Sequence, residues 1–150
     1  MHLTLVFLGE VGEDRLSALE QAGSGAVTRE APIRLRIGEA GSFPPGRAAR
    51  VVWLAVEPDR DLATLQRRLR AACGAAAGVR PDAKSYQPHL TLARCTPPWP
   101  IAACTRLASI FAGGVGEPFE VGEAVLFRSH LGGGPTRHEA IQRWPLEARG

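Results

Sequence analysis

The sequence predicts a mixed fold of alternating strands and helices laid out as a duplicated lobe. Three observations carry this. The tetrapeptide His-Leu-Thr-Leu stands at His2–Leu5 and again, letter for letter, at His89–Leu92. Each copy is followed by a helical stretch and then by a strand containing Gly-Glu-Ala, at Gly38–Ala40 and Gly122–Ala124, with a phenylalanine three residues further on, Phe43 and Phe127. Between these landmarks the apolar period switches repeatedly between strand-like and helix-like spacing. The copies run 36 residues from His2 to Gly38 and 33 from His89 to Gly122, a match that duplication explains and accident does not.

Taken in order, His2–Leu8 reads as a strand closed by Gly9, and Glu13–Ala22 as a short helix with acids at its start and Leu16 and Leu19 one turn apart. Ile33–Ile37 alternates Ile33, Leu35 and Ile37 with Arg34 and Arg36, a strand with one wet face. Val51–Val56 is a near-continuous apolar run, expected at the centre of its sheet. Asp59–Ala77 carries Leu62, Leu65, Leu69, Ala72, Cys73 and Ala76 at helical spacing, with Gly78 as its stop. His89–Ala93 is a strand entered through Pro88, Ala102–Ala112 a shorter helix, and about Phe119–Phe127 and His138–Leu146 two closing strands. The stretches Gly41–Gly46, Thr96–Pro100 and Leu131–Pro135 read as loops rich in Gly and Pro.

The second copy is preceded by a strand and a long helix, Val51 to Ala77, and the first copy by nothing. Internal symmetry therefore predicts that about one strand and one helix are missing ahead of His2.

Composition narrows the function class. The 150 residues, 45% apolar and 22% charged, suit one compact domain or two small lobes sharing a core, and exclude a disordered tail, a coiled coil or a collagen-like fibre. No run approaches eighteen apolar residues and the opening lacks the basic region of a signal peptide, so no membrane partner is expected and the location expected is cytoplasmic. A monomer is expected. The net charge of +3 permits an anionic ligand without demanding one. Lys84 is the only lysine, and the arginines scatter as coding bias would scatter them rather than as a phosphate surface. Cys73, Cys95 and Cys104 form no CxxC pair, which points to free thiols. Cys95 with His89 has no second ligand pair at metal spacing, so no metal and no cofactor are expected.

The chemistry lies in the repeated tetrapeptide. Four histidines and seven threonines would give only about 0.2 His-x-Thr triplets by chance. On a strand, His2 shares a face with Thr4 and His89 with Thr91, while Leu3, Leu5, Leu90 and Leu92 point the other way. If both pairs line one groove, two imidazoles flank a bound group, as in-line displacement at phosphorus needs: one takes a proton from the attacking oxygen and the other protonates the leaving oxygen. The threonine hydroxyls can donate to the phosphate oxygens. His130 and His138 lack such partners and read as surface residues. Phe7 falls on the odd-numbered face with Leu3 and Leu5 and is expected in the core. Tyr86 and Trp99 either stack a base at the rim of the groove or cap a core edge.

The pair of motifs, His2–Gly9 (HLTLVFLG) and Pro88–Arg94 (PHLTLAR), resembles the 2H phosphoesterase superfamily, and within it the RNA 2′,3′-cyclic phosphodiesterases once called 2′-5′ RNA ligases. Arg50–Leu54 (RVVWL) and Arg143–Leu146 (RWPL) are similar to that family's pattern as well, so the resemblance covers essentially the whole chain. It implies a bilobal α+β fold: two antiparallel sheets with helices on their outer faces, around a central cleft. It also implies metal-independent hydrolysis of RNA 2′,3′-cyclic phosphate ends to a 2′-phosphate. His2 would then be the general acid (proton donor) and His89 the general base (proton acceptor), with Thr4 and Thr91 as phosphate donors. Near-symmetry of the repeat does not itself assign the two proton roles. Arg94 follows the second motif where the family often has an arginine, but strict alternation points it away from His89 unless the strand ends or bulges near Ala93. The implied partner is RNA or an oligonucleotide ending in a 2′,3′-cyclic phosphate. Two other readings stand beside it: a non-catalytic nucleotide- or RNA-binding module, and a 2′-5′ RNA ligase running the same chemistry backward.

Overall fold

The computed structural model describes residues 2–28, 30–57, 59–79, 85–132 and 136–147. Along the chain a single 3-10 turn at Glu13–Arg15 leads into α1 (Leu16–Val27), followed by β1 (Ile33–Phe43), β2 (Ala49–Val56), α2 (Arg60–Ala77) and β3 (His89–Trp99). Then come α3 (Ile101–Ile110), β4 (Val115–Val121), β5 (Glu123–His130) and β6 (Arg137–Pro145). The fold is α+β with two antiparallel sheets, one four-stranded in the order β3-β2-β1-β4 and one two-stranded, β5-β6. No described helix is long and apolar enough to cross a membrane.

The residues divide into two compact units. The first takes Met1–Leu5, Arg34–Arg60 and Lys84–Phe119, and the second Val6–Ile33, Asp61–Ala83 and Glu120–Gly150. Both His-x-Thr copies therefore belong to the first unit.

In the first unit β2 is central, as its apolar run predicts, with β1 and β3 antiparallel on either side. Its even-numbered residues Val52, Leu54 and Val56 are buried, and Leu54 lies opposite Ala40 on β1 and Leu90 on β3. Ala49, Val52 and Cys95 form a core cluster onto which Ala93 and, from α3, Cys104 and Leu107 pack. The odd-numbered residues Val51, Trp53 and Ala55 face the other way.

In the second unit α2 buries Leu62, Leu65, Leu69 and Cys73, the stripe expected from the sequence, and ends at Gly78, whose φ of 70° is the left-handed stop. Helix α1 buries Leu19, Gly23, Ala26 and Val27. Its Gly23 lets the Trp144 ring of β6 come so close that a Cβ there would lie 2.6 Å from Cε2. Arg68 of α2 pairs with Glu30, and Arg128 of β5 with Glu13 at 3.0 Å.

Several expectations need correction. His2–Leu8 is not a full strand: only Leu3 makes a ladder bridge, because from Val6 onward the chain belongs to the other compact unit. Phe7 is 81% exposed rather than core, since the alternation that holds through Leu5 lapses at the same point. The helix expected at Glu13–Ala22 is a 3-10 turn plus α1, running on to Val27. The Pro-rich stretch Thr96–Pro100, expected as a loop, continues β3 through Trp99, which pairs with Ala49. Pro97 and Pro98 are tolerated because β3 is the last strand of the four-stranded sheet, leaving one side of its backbone without a strand to bond. The strand expected at Phe119–Phe127 is two, β4 and β5, parted at Gly122, whose carbonyl accepts from the Leu146 N–H at 2.8 Å. Of the loop expected at Leu131–Pro135, positions 133–135 lie outside the described residues.

Candidate active site

Leu3 makes an isolated antiparallel bridge to Leu90, placing the N-terminal segment along the edge of β3 that β2 leaves open. An antiparallel register through that pair sets His2 opposite Thr91 and Thr4 opposite His89. All four polar side chains therefore share one face, and the leucines share the other. His2 and Thr4 are exposed, and His89 and Thr91 are half-buried. As diagonal neighbours across the pair, the two histidines stand about 7–8 Å apart at the backbone.

The register between β2 and β3 decides where Arg94 points. His89 pairs with Ala55 and Thr91 with Trp53, but the next pairs are Ala93 with Val52 and Arg94 with Val51. Leu92 is the extra residue of a β-bulge. Val51, Trp53 and Ala55 lie on one face of β2, so the bulge brings Arg94 onto the face of His89 and Thr91. The same shift turns Ala93 and Cys95 into the core with Val52, as their burial records. Cys95 thus lies on the face opposite His89, and a shared metal or nucleophile site of those two residues is excluded by the pleat. Among the described residues no group of three His, Cys, Asp or Glu side chains could hold a metal ion.

His89 is held on three sides. Its Nδ1 lies 2.8 Å from the Gln87 carbonyl oxygen. A carbonyl only accepts, so Nδ1 carries a proton and, in the neutral ring, the lone pair sits on Nε2. The Phe43 ring meets the imidazole edge-on at 5.6 Å between centroids, 81° between planes, and the Trp53 ring lies 5.8 Å away at 55°. Phe43 and Trp53 are 5.2 Å apart. Trp53 lies over Gly41, its partner on β1, so closely that a Cβ there would overlap Cζ2 and Cη2 and stand 2.8 Å from Cε2. Its indole N–H is buried without a hydrogen-bond partner, an arrangement that costs about 1–3 kcal/mol.

The β2–β3 register puts His89, Thr91 and Arg94 on one face of the four-stranded sheet, and an antiparallel register through the isolated Leu3–Leu90 bridge aligns His2 and Thr4 with it. Trp99 does not join them: ten residues of β3, about 30 Å of strand at 3.3 Å per residue, separate it from His89. Tyr86 has its hydroxyl buried without a partner, and burial pushes its pKa up, so it presents no polar rim. His130 and His138 are exposed on the second unit's hairpin, His130 paired with Glu139 at 2.8 Å and His138 within 3.1 Å of the Ser129 hydroxyl. The sequence reading missed the Phe43–Trp53 wall. Its signal was the parity of Trp53 within an apolar run, legible only once the pairing with Thr91 is known.

Comparison with known proteins shows the family. The pattern of the 2′-5′ RNA ligase superfamily matches residues 1–133. An RNA 2′,3′-cyclic phosphodiesterase of Escherichia coli is 31% identical over 147 residues, 97% of this chain and 76% of that one. Namesakes from Methanothermobacter thermautotrophicus (39% over 98 residues, 65% of this chain) and Geobacillus stearothermophilus (31% over 148 residues, 97% of this chain) are matched over 52% and 45% of their lengths. The chain thus spans about half the length of these two relatives. Among solved structures, a Thermus thermophilus protein matches with a TM-score of 0.81 at 28% identity, over 99% of this chain and 79% of that one. Escherichia coli LigT complexed with 3′-AMP matches with a TM-score of 0.76 at 30% identity, over 97% and 76%. With the family pattern covering most of its length and the paired His-x-Thr motifs set on one sheet face, the chain belongs to the 2′-5′ RNA ligase superfamily.

Proposed function

We propose that this chain hydrolyses RNA 2′,3′-cyclic phosphate ends to 2′-phosphates, with His89 as general base and His2 as general acid. One observation carries the reading: the Leu3–Leu90 bridge, whose antiparallel register makes His2 and His89 diagonal neighbours. The names of the relatives, RNA 2′,3′-cyclic phosphodiesterase, supply the substrate class.

In this mechanism Nε2 of His89 takes a proton from water as its oxygen attacks phosphorus. The bond from phosphorus to the 3′ oxygen breaks in line, and His2 protonates that oxygen, leaving a 2′-phosphomonoester and a 3′-hydroxyl. The Gln87 carbonyl supports this assignment, because it fixes the tautomer that leaves Nε2 free to accept. The repeat's near-symmetry gave no such distinction. Thr4 and Thr91 donate to the non-bridging oxygens, and Arg94, carried round by the bulge, offers a fork of N–H groups to the same charge. Both proton transfers are supplied by side chains, so no step calls on a metal ion.

The test is incubation with an oligoribonucleotide ending in a 2′,3′-cyclic phosphate, with and without EDTA. A 2′-phosphate end formed equally in both supports the reading. Salt-sensitive binding without product, joined 2′-5′ ends, or loss of turnover in EDTA overturns it in favour of a binding module, a ligase or a metal enzyme respectively.

A further inference from the structure

We propose that Trp53 is a positioning residue for the general base, seated at the correct height by the bare backbone of Gly41. The inference rests on the assignment of His89 above. Three contacts converge on the His89 ring: the Gln87 carbonyl fixes its tautomer, the Phe43 edge closes one side, and the Trp53 ring closes another. Trp53 itself cannot settle closer to the sheet or rise from it without consequence. Beneath it, Gly41 has no Cβ, and the six-membered ring of the indole occupies that space. Beside it stands Phe43, 5.2 Å away.

The indole N–H adds a second, independent observation. It is buried without a partner, a cost that phenylalanine at this position would avoid. Nothing in the core requires the larger ring, because Trp53 lies on the face opposite Val52 and Leu54. What the larger ring does reach is the imidazole. The tilted Trp53 ring thus limits the swing of His89 and keeps Nε2 aimed at the attacking water. A displacement of about 1 Å at such a group costs on the order of 10²-fold in rate.

Gly41→Ala tests this without touching substrate or His89, since the added methyl must lift the Trp53 ring. On the cyclic-phosphate oligoribonucleotide, kcat should fall about ten- to a hundredfold with KM within twofold, and the pH–rate limb governed by His89 should move. Trp53→Phe removes the ring atoms that the methyl would overlap, so Gly41→Ala/Trp53→Phe should recover part of the loss and its coupling should be non-additive. Unchanged kcat in a folded Gly41→Ala protein, or strictly additive effects, overturns the inference. If Gly41→Ala does not fold, Trp53→Phe alone decides: a fall in kcat at constant KM supports it, and a wild-type kcat overturns it. His89→Ala separates the two levels. An inactive His89→Ala beside a normal Trp53→Phe removes only this inference, whereas an active His89→Ala removes the function it rests on.

Discussion

Leu3 and Leu90 face each other across a lone antiparallel bridge, and that one pairing converts two identical tetrapeptides 87 positions apart into a single four-residue polar face. Because strand side chains alternate with a period of two, a shift by one residue would set His2 against the wrong partner and send one pair to the core. The bridge thus links the repeat in the sequence to the chemistry of the site.

If both imidazoles act on one phosphorus, their removal should not be additive. His2→Ala and His89→Ala should each lower kcat by about 10²- to 10⁴-fold, and the double variant should be little worse than either alone. Single-turnover rates on a cyclic-phosphate oligoribonucleotide check this. A double variant slower by the product of the two single losses would mean that the histidines serve separate steps.

Arg94 reaches the site face only through the bulge at Leu92. Loss of one charge-assisted contact to phosphate is worth about 1.5–3 kcal/mol, so Arg94→Ala should lower kcat/KM by about ten- to a hundredfold. Arg94→Lys should recover only part, because a point charge replaces a planar fork. Deleting Leu92 should remove only the unpaired residue, leaving Ala93 opposite Val52 and Arg94 opposite Val51, so Arg94 should keep the site face and Cys95 the core. Circular dichroism of the deletion variant should show a retained cooperative transition, and Arg94→Ala should cost it turnover as it does in the parent.

On the second unit's hairpin, the hydrogen bond from His130 holds the Glu139 carboxyl below its ordinary range, helped by the charges of His130, Arg128 and Arg137. A depressed carboxyl contributes stability above its unfolded pKa, and that contribution fades as pH falls through the folded value. His130→Ala should bring the carboxyl back toward the usual range, seen by NMR titration of the Glu139 side chain. Thermal stability at neutral pH should scarcely change, since both partners are exposed. Turnover should be unaffected, because both residues stand on the β5–β6 sheet and not on β3, which carries His89 and Thr91.

How much of this was legible in the sequence follows from what each signal depends on. The central β2 and the stripe of α2 rest on local periodicity and were read correctly. The position of Arg94 rests on one unpaired residue, Leu92, which only the pairing with Val52 and Trp53 reveals. Trp53 looked like a core residue within an apolar run, and its neighbours on β1 and β3 make it part of the site. The parting of β4 from β5 at Gly122 was invisible because both halves share strand-like composition, and the neighbouring strand changes while the pattern does not. Phe7 misled because its parity matched a strand that had already ended.

Two glycines of α1 give opposite predictions for one substitution. In a helix interior, alanine is favoured over glycine by about 0.5–1 kcal/mol. At the exposed Gly25 a Cβ would meet nothing within 4 Å, so Gly25→Ala should gain that amount and raise Tm by about 1–4 °C. At Gly23 the same Cβ would overlap Cζ2 and Cη2 of the buried Trp144 ring. The ring has little freedom to give way, for it stands on β6 directly against α1. Overpacking typically costs about 1–3 kcal/mol, which exceeds the helical gain, so Gly23→Ala should lower Tm while Gly25→Ala raises it. Thermal melts of the two variants decide the point: a rise in both would mean that α1 does not sit on Trp144 in solution, and a fall in both would mean that α1 tolerates no side chain on either face.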